Sequence, residues 1–371
     1  MRAVTQALLF ALAIAPPGLH AETHNFIPQK FYTTFSGAHP VALRIKPGDR
    51  VITKTIDARG TDWNGKSVAE RGNPETGPFY IEGAVPGDAI VVTFEKIETN
   101  RTTASSGSLL APYTVDPAAI AARIDREPRQ ANWTIDKERG VARLVETDIQ
   151  PGGIELPLKP MLGCVGVAPE RRQAISTAVP GNFGGNMDYA GMNAGVKVML
   201  PVFEPGALLF IGDGHARQGE GEVVGSGLET SMDVEFKVEL LKQKTIAWPH
   251  LENATHIMAI GSARPLIEAL QHATSELQRL LMADYGMTER GAQTFMGQAT
   301  EYDIANVVDP AFTVVAKIRK STLPKRQGVC PSNEGPGAWG LGRIETRIPS
   351  AKRVHRSVSC PGPTPQALLA L

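Results

Sequence analysis

The chain has 371 residues, 42% of them hydrophobic and 20% charged, the balance of a soluble globular protein and not of a disordered or membrane-embedded one; the length suits two domains, or one large β domain with insertions. Lysine plus arginine and aspartate plus glutamate both number 38, so the formal net charge is zero, which removes the broad attraction that non-specific binding to nucleic acid or acidic lipid requires. With 37 glycines and 28 prolines, the composition favours short strands and tight turns over a helical bundle.

In chain order, Arg2 precedes the apolar run 7–15, then Pro16-Pro17-Gly18 and Leu19-His20-Ala21, the pattern of a signal peptide over residues 1–21. The run is too short to span a bilayer of ~30 Å, so export to the periplasm or beyond is predicted, with no stable membrane insertion. Residues 22–325 read as mainly β. Pro47-Gly48-Asp49 leads into a strand at 50–57, Pro86-Gly87-Asp88 into one at 90–97, and Pro205-Gly206-Ala207 into one at 207–211. Proline sets φ for such a turn and glycine takes the positive φ that follows. The repetition predicts duplicated β-sandwich or barrel-like modules. Further strands are predicted at 196–200, 232–240 and 312–318; residues 232–240 alternate strictly between apolar and charged, as a half-buried strand requires. Leu266, Ile267, Leu270, Leu277, Leu280 and Leu281 recur at helical spacing, so a helical insertion is predicted near 264–299, with Gly286 ending its first helix and Thr288 capping a second. Both helices are assigned to packing. Cys164, in the apolar run 161–167, reads as a buried thiol, whereas Cys330 and Cys360, each followed by proline, are expected to pair in an exported protein. Residues 326–371 form a Pro/Gly-rich basic tail, read as a solvated or subunit-wrapping arm.

Chemistry concentrates between residues 181 and 229, in Gly184-Gly185-Asn186-Met187-Asp188, Gly212-Asp213-Gly214-His215 and Gly219-Glu220-Gly221-Glu222. Glycines let the backbone approach a ligand closely, while imidazole and carboxylates are the donors that hold a catalytic zinc ion with one position open. The predicted strands 196–200 and 207–211 would bring Asp188 and His215 to the same end of a sheet. Asp-Gly is also a common hairpin dipeptide, so ordinary turns remain an equal reading. There is no Gly-x-Ser-x-Gly elbow and no His-Glu-x-x-His helix.

The runs 180–188, 200–208 and 212–222, with 55–58, 73–84 and 161–169, closely resemble the acetamidase/formamidase family over residues 25 to 325. The resemblance implies a mainly β fold with internal duplication, a helical insertion, a homo-oligomer, and hydrolysis of a small amide to carboxylate and ammonia with a bound divalent metal. Within it, Asp57, Asp188 and His215 are assigned to the metal, for which zinc suits a mixed histidine and carboxylate set. Glu222 is assigned to move a proton to the departing nitrogen. Asn186 or a neighbouring glycine N–H is to stabilise the oxyanion. Asp213 and Glu82 orient the ligands, with Glu82 also the next acid–base candidate. Two rivals stand beside this reading: a non-catalytic β-sandwich binding protein on the same scaffold, and a lactam or ester hydrolase. A binding protein has no reason to keep Asp188, His215 and Glu222 together, and all three are present.

Overall fold

Alternation in the sequence becomes alternation in space along the strand Met232–Leu241, where Met232, Val234, Phe236 and Val238 are buried between half-buried or exposed neighbours. The computed structural model to which this strand belongs describes residues 21–121, 130–146, 149 and 152–324. The predicted signal segment up to residue 20, the tail from 326 and the Cys330–Cys360 pair fall outside the described residues.

Met232–Leu241 lies third in a nine-stranded sheet, in the order Thr23–Asn25, Arg50–Lys54, Met232–Leu241, Ala89–Thr99, Lys197–Pro201, His250–Glu252, His256–Ala263, Phe312–Arg319 and Glu301–Asn306. A six-stranded sheet carries Gly184–Asn186, Met161–Val167, Leu209–His215, Glu75–Ile81 and Phe31–Tyr32, with Leu43–Ile45 parallel to Glu75–Ile81. The mainly β architecture holds, with 41% strand and 15% helix. Asp49 and Asp88 close the two Pro-Gly-Asp turns alike, each accepting the backbone N–H three residues back, at 2.8 Å from Lys46 and 3.0 Å from Val85.

The main core lies between these two sheets, where Phe79 and Phe236 meet edge to face at 5.2 Å and Phe35 and Phe210 at 5.4 Å. The strand His256–Ala263 sends Met258 and Ile260 into this core and Ile257 and Ala259 into a second one beneath the helices, so it is buried on both faces. Those helices are Leu266–Tyr285, ended by Gly286 in the left-handed region, and Glu289–Ala299, capped by the Thr288 side chain. The predicted apolar stripe needs one correction: Ile267 is 59% exposed, while Glu276 is buried. No helix among the described residues is long and apolar enough to cross a membrane.

Two sequence readings change. The strands expected at 196–200 and 207–211 do not pair; they belong to different sheets. The Gly-Asp-Gly-His run is not a hairpin turn but the end of the strand Leu209–His215, paired with Met161–Val167 so that His215 faces Met161 and Gly212 faces Cys164.

Candidate active site

The strands Gly184–Asn186, Met161–Val167 and Leu209–His215 lie side by side, and their ends deliver the functional side chains. Asp188 follows the first strand, and Asp213 and His215 end the third. Glu222 comes from the loop after His215, and Glu229 from a stretch whose backbone bridges to His215. Asp309 comes from the turn between Glu301–Asn306 and Phe312–Arg319. Asp188, Asp213 and Glu222 have φ of 43°, 52° and 48°. Side chains other than glycine enter this left-handed region at a cost on the order of 1 kcal/mol each, and such residues gather at functional sites.

His215 is the hub. Its Nδ1 lies 2.9 Å from Gln218 Oε1. The Gln218 Nε2 donates to the backbone oxygens of Asp188 and Ala305, so Oε1 is left to accept from His215 Nδ1–H. That fixes the imidazole with Nε2 toward Glu229 Oε1 at 3.0 Å and Asp213 Oδ1 at 3.3 Å. Neither contact has hydrogen-bond geometry, and Nε2, Asp188 Oδ1 and Glu229 Oε2 are buried without partners. Donor atoms of Asp188, His215 and Glu222 lie within 4.8 Å of one another, as do those of Asp213, His215 and Glu229.

The carboxylates exceed the cations available to them. Glu75, Asp188, Asp213, Glu222 and Glu229 are all buried, and the Asp309 carboxylate reaches in to hydrogen-bond Asn186 at 2.9 Å. Burial, then Glu222, Asp309 and Asp213, pushes Asp188 well above the usual carboxylate range. Burial pushes Glu222 well up against the pull of His215, and burial followed by Asp213 does the same to Glu75. Glu229 rises to about 7 and Asp309 to about 6, burial being the main cause of each. Burial would also raise Asp213, but His215 together with hydrogen bonds from Asp188 and Glu229 outweighs it and holds the group low. Burial would lower His215, and Glu229 and Asp213 together push it well up instead. Such a set calls for a cation beyond the single imidazole.

Room for these acids is made by glycine. A Cβ on Gly163 would run into Asp188 Oδ1 and Asp213 Oδ2, and one on Gly212 into the Glu75 carboxylate. Cys164 is a buried free thiol, as expected, donating to Thr177 O at 3.3 Å. Its surroundings are acidic, however, and burial followed by Glu75, Asp213 and Asp188 pushes it well above its usual range, away from a thiolate nucleophile.

Three sequence-derived assignments change. Asp57 is not gathered with Asp188 and His215: its Oδ2 pairs with Arg101 at 2.6 Å and its Oδ1 accepts the N–H groups of Arg59 and Thr61. This is the usual fate of an aspartate in a turn. Glu82 is exposed in the turn after Glu75–Ile81, away from the cluster. Asn186 does reach the cluster, but its Nδ2 already donates to Asp188 at 2.7 Å and to Asp309, and its Oδ1 accepts from Asn73 at 2.7 Å. It organises acids and has no side-chain N–H left for an oxyanion. Sequence reasoning passed over Glu229, Asp309, Glu75 and Gln218. Glu75 stands inside the run 73–84 and Gln218 inside 212–222, both of which carry the resemblance, and Glu229 ends the polar segment; Asp309 has no local signal.

A family model described as the Acetamidase/Formamidase family matches residues 170–309. A protein of Schizosaccharomyces pombe named as a candidate formamidase is 32% identical over 119 residues, a match spanning 27% of that protein's length. The crystal structure of an acetamidase from Yersinia enterocolitica superposes with a TM-score of 0.71 at 32% identity, covering 83% of this chain and 95% of that one. An acetamidase from Bacillus halodurans gives 0.67 at 26% identity, covering 80% and 97%.

Proposed function

The chain belongs to the acetamidase/formamidase family, and from that premise we propose that it hydrolyses the linear C–N bond of a small amide to a carboxylate and ammonia, with a divalent metal at the His215 cluster. The observation that carries the metal is the excess of buried carboxylates around His215, whose Nε2, oriented by Gln218, meets Glu229 and Asp213 without forming a hydrogen bond to either. Asp213, His215 and Glu229 would hold the ion, in place of the expected Asp57, Asp188 and His215. Zinc fits this mixed donor set. When bound, the ion supplies a Lewis acid for the amide carbonyl and makes water a better nucleophile near neutral pH.

The chain's own groups do the rest. Glu222 takes the proton lost by the attacking water and passes it to the nitrogen as the C–N bond breaks, and burial, which favours its protonated form, helps it hold that proton between the two steps. Asp188 is fixed by Asn186, which also ties Asp309, so the acids keep their places as charge shifts. Buried acids without partners are costly in a protein that only binds a ligand, which favours the enzyme reading.

Export to the periplasm or beyond, resting on Arg2 and the apolar run 7–15, and assembly as a homo-oligomer belong to the same proposal. The N-terminal sequence of the mature protein and sedimentation test these two. For the chemistry, purified mature chain is assayed for ammonia release from short amides before and after chelation, with its metal content measured. About one tightly bound divalent ion per chain and activity lost on chelation are expected; full activity in metal-free protein would sink the metal, and no ammonia from any amide would sink the function.

A further inference from the structure

Arg264 stands between the strand His256–Ala263 and the helix Leu266–Tyr285, exposed on the surface and outside the acid cluster. Its guanidinium nevertheless meets two segments that enter the site. Nη2 donates to the backbone oxygen of Asp309 at 2.6 Å. The same group lies 4.4 Å from the Phe312 ring centre and 4.5 Å from that of Tyr113, and these rings meet edge to face at 5.8 Å. Arginine is suited to both contacts because its planar fork donates in plane and stacks out of plane.

Each segment continues to an acid. Beyond the Asp309 turn, Asn306 donates to the backbone oxygens of Asn186 and Met187, and Val307 N–H to Gly221 O at 3.1 Å. In the segment that carries Tyr113, Ala111 N–H donates to Val223 O at 2.8 Å and the Thr114 hydroxyl to the same oxygen. Val223 directly follows Glu222, whose own oxygen accepts from Gly225. Tyr113 is 62% exposed and belongs to none of the buried clusters among the described residues.

We propose that Arg264 is a positioning residue that clasps the Asp309 turn to the Tyr113 arm and so holds Asp309 and Glu222, two acids from separate parts of the chain, at fixed places over Asp188. The inference rests on the amidase reading for its kinetic consequence and on the structure alone for its mechanical one. Misplacing a reacting group by about 1 Å costs up to ~10²-fold in rate. The guanidinium touches no reacting atom, so its loss acts on turnover more than on substrate affinity.

The test uses the full metal-loaded chain with Arg264→Ala, Arg264→Lys and Tyr113→Ala, followed by segment-resolved amide hydrogen exchange and steady-state kinetics. Arg264→Ala should speed exchange in both 109–116 and 305–311, and lower kcat by ~10-fold or more while KM moves less than about threefold. Arg264→Lys, which keeps a donor for the Asp309 oxygen but cannot stack flat, should restore protection in 305–311 only. Tyr113→Ala should loosen 109–116 only, and combined with Arg264→Ala should add little to its loss. Unchanged exchange in both segments of Arg264→Ala would overturn the clasp, as would faster exchange with kcat intact. A wild-type chain that releases no ammonia would overturn the amidase reading and leave the clasp to be decided by exchange.

Discussion

Among the described residues two buried histidines, His215 and His250, meet buried carboxylates, and they differ in balance. His250, in the sheet, lies 2.7 Å by Nε2 from Glu276 on the long helix. Glu276 also accepts from Ala247 N–H at 3.2 Å and from Arg279 Nε at 2.7 Å, so one acid is answered by an imidazole, an amide and a guanidinium. His215 instead faces a crowd of acids whose oxygens are partly without partners. His250 Nδ1 is without a hydrogen-bond partner as well, so the difference lies in the acids: a buried carboxylate that is answered fastens helix to sheet, whereas a crowd of them left unanswered marks where the fold expects something else to bind.

The sharpest way to break this contrast is Glu222→Gln, which should lower kcat by ~10²–10⁴-fold while metal content and the thermal midpoint stay near wild type. A change below about threefold would make Glu222 structural. At the balanced site the effect should appear in stability alone: Glu276→Ala leaves His250 and Arg279 without their acid and should cost about 3–5 kcal/mol in urea unfolding, with turnover per folded molecule unaltered. A smaller effect of opposite sign is expected at the crowded site, where Asp188→Asn in metal-stripped protein removes one of several competing acids and should raise the midpoint by ~2–4 °C. A fall would show that Asp188 is answered after all.

The smallest expected effect is in pH. Burial alone would raise Glu276, but the bonds from His250 and Arg279 outweigh it and hold the carboxyl below its ordinary value of 4.5. A depressed acid contributes stability that is present above the unfolded value and lost as pH falls through the folded one. Unfolding free energy should therefore decline below pH 4.5, and less steeply in Glu276→Gln. Equal slopes would remove Glu276 from the acid response.

Local patterns carried much of the architecture in the sequence. The alternation at 232–240, the leucine spacing before Gly286 and the Thr288 cap each mark an element by its own residues. Sheet membership was not legible, because the pairing of Leu209–His215 with Met161–Val167 depends on contacts far apart along the chain. The Gly-Asp-Gly-His run misled in a specific way: its composition is that of a turn, yet Asp213 takes a turn-like φ of 52° inside a strand. Asp188, His215 and Glu222 stood out because they sit among glycines. Asp309 did not, since a lone aspartate before a proline in a hairpin looks like any other turn, and only the Arg264 and Asn186 contacts give it a role.

The tight fit of backbone to acid at Gly163 and Gly212 bears on how such a site is inherited. No side chain enters either position while the neighbouring carboxylates remain, so glycines and acids form one hereditary block. A lineage that abandons the chemistry loses the acids' function first, and a buried carboxylate left idle is then only a cost. Once a carboxylate shortens or swings away, alanine becomes tolerable where glycine was compulsory. Among descendants of this fold, the methyl-free positions are thus the finer record of whether the centre is still in use.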